Sequence, residues 1–288
     1  MPLVRIGNAG DGIRGVLRHY RDIFDHRQML MLLVRRDLKS RYKDSILGFA
    51  WTLIRPITQL LIYYIALGKF LGAERGIPDF AIYIFTGLTA YGLFSEILSG
   101  GTASVVGNAG LVKKVFLPRE VFPIASVGAA LFNFGIQLVV LLAATVLLGA
   151  FPADVELVYA IPAILVIVLF GSALALMLSA MNVFFRDVQY LVEVLLLIFL
   201  WASPIVYPWQ TVRRVFGEGI FLTLYTNNPI TLSVLGFQRA FWVAGHDKVA
   251  YPDGLFVGLW IAVAVGAVLV LLCQQVFARL QGNFAQVL

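Results

Sequence analysis

Residues 108–123 read NAGLVKKVFLPREVFP and lie between two long apolar runs of the 288-residue chain. This stretch contains three cations and two prolines, namely Lys113, Lys114, Arg119, Pro118 and Pro123. Charges and proline-interrupted backbone are unfavourable in lipid hydrocarbon, where no water satisfies their polar groups. The stretch must therefore emerge from a membrane on one face, with a membrane span on either side of it. Residues 108–119 are called the basic segment below.

The composition of the whole chain places it among integral membrane proteins. Hydrophobic residues make up 60% of the sequence and charged residues only 13%, which is outside the usual range of water-soluble domains. Its length allows about six spans of about 20 residues each. The single cysteine, Cys273, cannot form an internal disulfide. The predicted fold class is an all-α integral membrane protein with six transmembrane helices in one domain.

Six apolar runs are the candidate spans: Ile46–Leu67, Phe80–Leu98, Phe122–Leu148, Leu157–Phe184, Val188–Ala202 and Leu255–Phe277. After the second run, the small residues between 100 and 107 are expected to lead the chain out to the basic segment. After the sixth run, RLQGNFAQVL (279–288) is interpreted as a polar tail. These boundaries define a six-span domain over residues 46–288.

The N-terminal residues 1–45 have a different character. Apolar residues between Ile13 and Leu38 recur at steps of three and four, with cations filling the positions between them. This pattern predicts an amphipathic helix on the cytoplasmic headgroup surface. A helix of a soluble bundle is the alternative. No removable signal peptide is visible in this stretch.

Residues 209–245 are too long for a simple turn and too interrupted for a span. Two apolar stretches, 221–225 and 230–243, flank the sequence Asn227-Asn228-Pro229. They predict short re-entrant helices that dip into the outer leaflet between spans five and six, provided that protein covers their free backbone groups. An exposed outer loop is the alternative.

The distribution of positive charge predicts the orientation. If the N-terminus is inside, about fifteen of the 22 Lys and Arg residues lie on the inner side and about six in outer loops. This predicts a multi-pass protein with both termini in the cytoplasm. Nucleic-acid binding is not expected, because no zinc-ligand or RNA-binding signature accompanies the charge.

Sequence motifs for independent chemistry are absent. The chain has no GxxxxGK[ST] phosphate-binding loop, no HExxH, no GxSxG and no Cys/His cluster. We therefore expect no ATP site, metal site, other cofactor or catalytic residue in this chain. A chain with basic connecting loops and no ATP site is suited to receive motion from a partner protein through the basic segment.

Three charged residues lie within or near the apolar runs: Arg55, Glu96 and Glu193. A structural pairing of Arg55 with either acid and a role in transport are both compatible with their positions. Aromatic residues accompany them on spans one and five, namely Phe49, Trp51, Tyr63, Tyr64, Phe199 and Trp201. These side chains are candidates for lining a passage for sugar rings, and interfacial belts and ordinary core packing are the alternatives.

Five stretches together resemble a known family. They are RDLKSRYKDSILGFAWTLIRP (36–56), GLVKKVFLPREVFP (110–123), NVFFRDVQY (182–190), NNPIT (227–231) and RLQGNFAQVL (279–288). In this order they resemble the membrane subunits of ABC-2 type exporters, most closely the O-antigen, capsule, teichoic-acid and galactan export permeases. The likeness covers nearly the whole chain, and its most specific parts are the basic segment and NVFFRDVQY.

The resemblance implies a homodimer of this subunit with two ATP-hydrolysing subunits, which bind ATP and Mg. It implies a coupling helix at about 108–119 that docks on the ATPase through Asn108, Lys113, Lys114, Phe116, Pro118 and Arg119, with a second contact at Arg186 and Asp187. Spans one and five would line a channel, with the outer helices at its rim. The expected substrate is a lipid-linked polysaccharide moved out of the cytoplasm across the bacterial plasma membrane.

Three alternative functions remain open at the level of sequence. One is an ABC-2 exporter of drugs or simple lipids. The second, from another class, is a membrane-bound transferase or hydrolase of lipid-linked sugars, which would need paired acids or a metal site near the headgroups. The third is an ion-coupled carrier, for which three intramembrane charges are few.

Overall fold

The computed structural model describes residues 27–42, 50–114, 118–246 and 248–288, and all the regular elements of these ranges are helical. The α-helices are α1 Arg27–Tyr42, α2 Trp51–Tyr63, α3 Phe80–Gly107, α4 Ala109–Lys114, α5 Val121–Leu147, α6 Ala160–Phe184, α7 Val188–Trp201, α8 Trp209–Phe216, α9 Ile220–Thr226, α10 Pro229–Phe241, α11 Leu255–Leu280 and α12 Phe284–Val287. Short 3-10 helices at Val155–Tyr159 and Gln281–Asn283 extend α6 and α11. The prediction of an all-helical chain is confirmed for the described residues.

Within the described residues, four helices are long and apolar enough to cross a membrane: Phe80–Gly107, Val121–Leu147, Val155–Phe184 and Leu255–Asn283. They correspond to predicted spans two, three, four and six. Helix α7, at the fifth predicted span, is a shorter apolar helix of 14 residues. Helix α2 continues as a π-helical turn, Tyr64–Phe70, and residues 46–49 of the first predicted span lie outside the described residues. The count of six spans therefore stays a prediction.

The second predicted span is longer than expected. The small residues between 100 and 107, predicted to lead out of the membrane, are helical and belong to α3. The reason is close packing of α3 against α6, because a Cβ added to Gly101 would lie 2.4 Å from the Cβ of Ala175. The helix therefore continues nine residues beyond Leu98, the predicted limit of the span, and its small residues allow two helices to approach.

Helix α3 is the centre of the bundle. It packs against α5, α6 and α10, and α6 in turn packs against α11. The helix is apolar on nearly all sides, as expected for a buried helix, and 72% of its membrane-length window is buried inside the protein, compared with 22% for α11. The remaining surface of α11 is therefore available to lipid.

Helix α1 packs on α5. A Cβ at Gly128 of α5 would lie 3.0 Å from a methyl group of Val34, so glycine allows this close approach. Leu33 is buried in the same region, whereas Met31 and Leu32 remain exposed. The apolar residues of α1 are thus divided between the protein and its surroundings, and placement of α1 on a headgroup surface stays a prediction.

The segment between α7 and α11 contains three short α-helices, one more than predicted. Helix α10 is largely buried, and Asn228 begins it by accepting a hydrogen bond from the backbone N–H of Ile230 at 2.9 Å, a typical N-cap arrangement with proline at the next position. Helices α8 and α9 instead expose large apolar side chains such as Val215 and Phe221. Protein therefore covers α10, while a re-entrant position of these helices in a membrane stays a prediction.

The break between α7 and α8 is fixed by buried polar groups of the core. The hydroxyl of Tyr83 shares its one proton between the carbonyl oxygens of Pro204, at 2.9 Å, and Tyr207, at 2.7 Å. The side-chain amide of Gln238 donates to the same Pro204 oxygen at 2.7 Å. These bonds satisfy carbonyls that no helix uses, so they hold this non-helical segment in one conformation.

Candidate functional site

The basic segment begins with helix α4, whose first turn is tightly capped. The carbonyl of Asn108 accepts from the N–H groups of Leu111 and Val112, at 2.9 and 3.1 Å. The Asn108 amide also donates to the carbonyl of Ser104 in the last turn of α3, at 2.8 Å. Asn108 thus joins α3 to α4. The described part of α4 runs to Lys114, and residues 115–117 lie outside the described residues, so a coupling helix extending to about residue 119 stays a prediction. Phe116, a predicted contact residue, lies outside the described residues.

Helix α4 has one buried and one exposed face. Val112 is buried in a cluster with Leu33, Val105, Val121 and Phe277, whereas Lys113 and Lys114 are exposed. The cations therefore point away from the bundle while a neighbouring apolar residue holds the helix to it. This is a geometry in which a second protein can reach both ammonium groups.

The N-terminal helix also contacts the basic segment. The guanidinium of Arg36 donates to the side-chain oxygen of Asn108 at 2.6 Å, and it forms an ion pair with Asp37 at 2.7 Å. Because Asn108 caps α4, α1 is connected directly to the start of the basic segment. This contact joins parts of the chain that are 72 positions apart, and helical periodicity gave no indication of it.

At the end of the basic segment, Pro118 and Arg119 are half-buried. The guanidinium carbon of Arg119 lies 5.9 Å from the centre of the Phe284 ring, in a cation–π arrangement. Burial lowers the pKa of Arg119, and the neighbouring Glu120 carboxylate opposes this effect. Unlike Lys113 and Lys114, Arg119 has much of its surface against its own protein.

Arg186 and Asp187 lie in the turn between α6 and α7, and both are exposed. Two residues before Arg186, the ring of Phe184 contacts Phe284 with centroids 6.0 Å apart. The two predicted contact regions are thus at the same end of the bundle, and both are next to Phe284. The C-terminal residues that link them were interpreted from sequence only as a polar tail, although their one aromatic residue was a signal of burial.

The predicted channel aromatics form two groups. Tyr63, Tyr64 and Phe199 are half-buried against the core, and Phe199 meets Phe94 edge to face at 6.2 Å. Trp51 and Trp201 are 46% and 52% exposed and are free of the core on one side. Phe49 lies outside the described residues, and a channel role for the whole set stays a prediction.

The three intramembrane charges have different surroundings. Glu96 accepts a hydrogen bond from the side-chain amide of Asn133 on α5, at 2.6 Å. Glu193 is exposed on α7. The side chain of Arg55 lies outside the described residues, so its pairing with either acid stays a prediction.

At the opposite end of the bundle lies an ion pair that no sequence motif indicated. Arg239 of α10 binds Glu156 of the 3-10 helix before α6, and its guanidinium lies 5.1 Å from the ring centre of Tyr251. The hydrogen bond to the Glu156 carboxylate raises the pKa of Arg239, although desolvation opposes this shift. The pair fixes α10 to the start of a long apolar helix. Its partners are 83 positions apart, which is why no local motif indicated it.

A cavity of about 280 Å³ lies between the start of α5, the middle of α6 and the second half of α11. Glu120, Ser172 and Gln274 supply its polar lining. Gln274 is only 2% exposed, and neither polar atom of its amide has a hydrogen-bond partner in the described part of the chain. The cavity has room for water molecules, each of which fills about 30 Å³ in the liquid.

The fold and the exposed cations of α4 define a class of protein: a helical membrane protein that presents a cationic helix at one end of its bundle. Residues 28–242 match the model of the ABC-2 type transporter family. The chain belongs to this family. It is therefore a membrane-spanning transport subunit, as the resemblance implied.

Similar proteins cover almost the whole chain. It is 30% identical over 271 residues to the O-antigen export system permease protein RfbA of Myxococcus xanthus, across 94% of this chain and 99% of that protein. It is 26% identical over 261 residues to RfbA of Klebsiella pneumoniae, across 90% and 95%. A shorter match, 30% over 97 residues, covers 33% of this chain and 35% of the polysialic acid transport protein KpsM of Escherichia coli.

Proposed function

We propose that this chain is the permease subunit of an ATP-driven exporter that moves a lipid-linked polysaccharide out of the cytoplasm across the bacterial plasma membrane. Family membership supports the transport role. The names of the relatives, which are O-antigen and polysialic acid transport proteins, support a polysaccharide as the substrate. The partner that binds ATP and Mg is a separate subunit.

The observation that carries this proposal is the structure of α4. Its exposed ammonium groups, Lys113 and Lys114, lie beside the buried Val112. A partner that pushes on the cations therefore pushes on a helix attached to the core of the bundle. Movement of α4 is transferred to α3 and α5, the helices that precede and follow the basic segment.

The assembly that we propose contains two copies of this chain and two ATPase subunits. The exposed Glu193 of α7 supports a second copy. A carboxylate facing lipid is unfavourable, so charged residues in spans face the protein interior or a wet cavity. Two copies with their α7 helices facing each other would give Glu193 such a surrounding and would form a passage lined by Trp201 and Trp51.

We further propose six spans with both termini in the cytoplasm. In this arrangement α2 with its π-helical extension is the first span and α7 is the fifth. The basic segment, Arg186 and the C-terminal residues then share the cytoplasmic side, where an ATPase can reach them. The excess of Lys and Arg in these parts supports the orientation.

The test uses the permease in native membranes with its ATPase. The double variant Lys113→Glu, Lys114→Glu inverts the charge of α4. We expect the amount of ATPase that copurifies with the permease to fall at least tenfold. The matched control is Arg213→Glu, Arg214→Glu. This variant inverts the charge of two consecutive exposed cations in the last turn of α8. This control is expected to retain the ATPase, because α8 is at the opposite end of the bundle.

Three results would contradict the proposal. Equal recovery of the ATPase with both double variants would reject the docking role of α4. Transport in proteoliposomes of a drug or simple lipid, with no transport of lipid-linked O-antigen, would reject the polysaccharide assignment within the same family. Turnover of a lipid-linked sugar by the purified permease without ATP would instead indicate a transferase or hydrolase.

A further inference from the structure

The last residues of the chain fold back into the bundle. After α11, a 3-10 turn at Gln281–Asn283 leads into α12. The side chain of Phe284 is completely buried, and its ring meets Phe277 edge to face at 5.4 Å and Phe184 at 6.0 Å. Residues 281–287 are called the C-terminal segment below.

The same segment contacts Arg119 at the end of the basic segment and Glu120 directly after it. The side-chain amide of Gln281 donates a hydrogen bond to the carboxylate of Glu120 at 2.9 Å, and both residues are buried. The guanidinium of Arg119 covers the Phe284 ring from another side. Helix α12 also packs directly on α4 and on α6.

These contacts place one aromatic ring between three separate parts of the chain. Phe184 belongs to the end of α6, next to the loop with Arg186 and Asp187; Phe277 belongs to α11; and Arg119 belongs to the basic segment. Buried side chains are close-packed and resist continuous deformation. A displacement of the basic segment therefore cannot leave the ends of α6 and α11 where they are while Phe284 stays packed.

We propose that Phe284 and Gln281 are positioning residues that fasten the basic segment to the ends of α6 and α11, so that motion received from the ATPase reaches both helices. This inference rests on the proposed function. It assigns a mechanical role to residues outside the two predicted ATPase contacts. The role belongs to transmission after docking, because the side chain of Phe284 is buried and unavailable to a partner.

The experiment measures transport per ATP hydrolysed by the complete permease–ATPase complex in proteoliposomes, with lipid-linked O-antigen as the probe. In Phe284→Ala the ring is lost, and we expect this ratio to fall at least fivefold while the ATPase remains bound. In Phe284→Leu the site stays filled with an apolar side chain. We expect transport per ATP hydrolysed to be at least half that of the unaltered complex. The matched control is Val287→Ala in the same helix, where the side chain is 46% exposed; we expect no change.

The ratio separates positioning from folding. A variant that only folds poorly yields less complex, which reduces transport and hydrolysis together and leaves their ratio unchanged. If Phe284→Ala yields too little complex, Gln281→Ala removes the hydrogen bond to Glu120 without opening a large cavity, and we expect at least a twofold fall in the ratio.

Three outcomes would overturn the proposal. They are an unchanged ratio in Phe284→Ala, an unchanged ratio in Gln281→Ala when the Phe284 variant cannot be measured, and loss of the bound ATPase in place of a lower ratio. The proposed function would still stand in each case if the unaltered complex transports the probe. Failure of the unaltered complex to transport any lipid-linked polysaccharide would instead reject the proposed function itself.

Discussion

Individual charged residues at the two ends of the bundle have different tasks. At the basic end, Lys113 and Lys114 are exposed and available to a partner. At the opposite end, Arg239 and Glu156 are mostly buried side chains that bind each other, with 23% and 28% of their surfaces exposed. The sequence shows which residues are charged, but burial decides which charge is available to a partner and which fixes the fold.

This difference predicts the cost of removing one carboxylate. In Glu156→Gln the half-buried Arg239 loses its counter-ion. We expect the free energy of unfolding to fall by about 1–2 kcal/mol, which lies between the values for exposed and buried ion pairs. The midpoint of thermal unfolding, followed by tryptophan fluorescence in lipid nanodiscs, should fall by about 2 °C or more.

The control for this prediction is Glu218→Gln. Glu218 pairs with Arg213, but its side chain is 76% exposed, so water can replace the lost interaction. We expect a shift of less than about 1 °C. Equal shifts of the unfolding midpoint in the two variants would show that burial of the Arg239–Glu156 pair adds nothing to its contribution to stability.

Among whole elements, the long apolar helices were predicted well from sequence and the short ones poorly. Helix α5 begins and ends one residue from its predicted limits, because continuous apolar content marks a buried or lipid-facing helix without further information. Helices α8 and α12 were missed, since neither is long enough to show a helical period. The contacts of Phe284 were also missed, because they join residues that are distant in sequence.

Helix α3 shows why its end was mispredicted. Glycine is unfavourable within helices, yet α3 continues through Gly100 and Gly101 to Gly107. In the structure, Gly101 instead permits contact with Ala175 of α6. Helix–helix contact thus outweighs local propensity, as is common for small residues in membrane helices.

Two substitutions in α3 should therefore have opposite effects. Gly101→Ala puts a methyl group 2.4 Å from Ala175, and we expect destabilisation of about 1–3 kcal/mol from overpacking. Gly107→Ala, in the same helix, meets nothing within 4 Å and should be neutral or stabilising by up to about 1 kcal/mol. Thermal unfolding of both variants in nanodiscs checks the signs, and destabilisation by both would contradict the packing argument.

Across the whole molecule, several helices have large apolar surfaces that the rest of the chain does not cover. Helices α5 and α11 are mostly uncovered within the chain and contain only apolar or small polar residues over most of their length, which suits lipid. Helix α7 also exposes apolar residues such as Leu197, but it carries Glu193 among them. The charge distinguishes the surface of α7 from those of α5 and α11, and we infer that α7 borders water in the assembled transporter.

Cysteine labelling in native membranes distinguishes a wet surface from a lipid-facing one. Both cysteine variants are made in a Cys273→Ser background. Val194→Cys on α7 and Ile261→Cys on α11 replace side chains that are 58% and 60% exposed. Val194 lies about two turns before the end of α7 and Ile261 about two turns after the start of α11, and these two helix ends are at the same end of the bundle. A charged, water-soluble maleimide reacts with thiolate, which forms in water and not in hydrocarbon. We expect labelling at position 194 to be at least about tenfold faster, because Glu193 requires a polar surrounding there. Equally slow labelling would place α7 against lipid and reject a passage along it, whereas the ATPase-docking role of α4 would be unaffected.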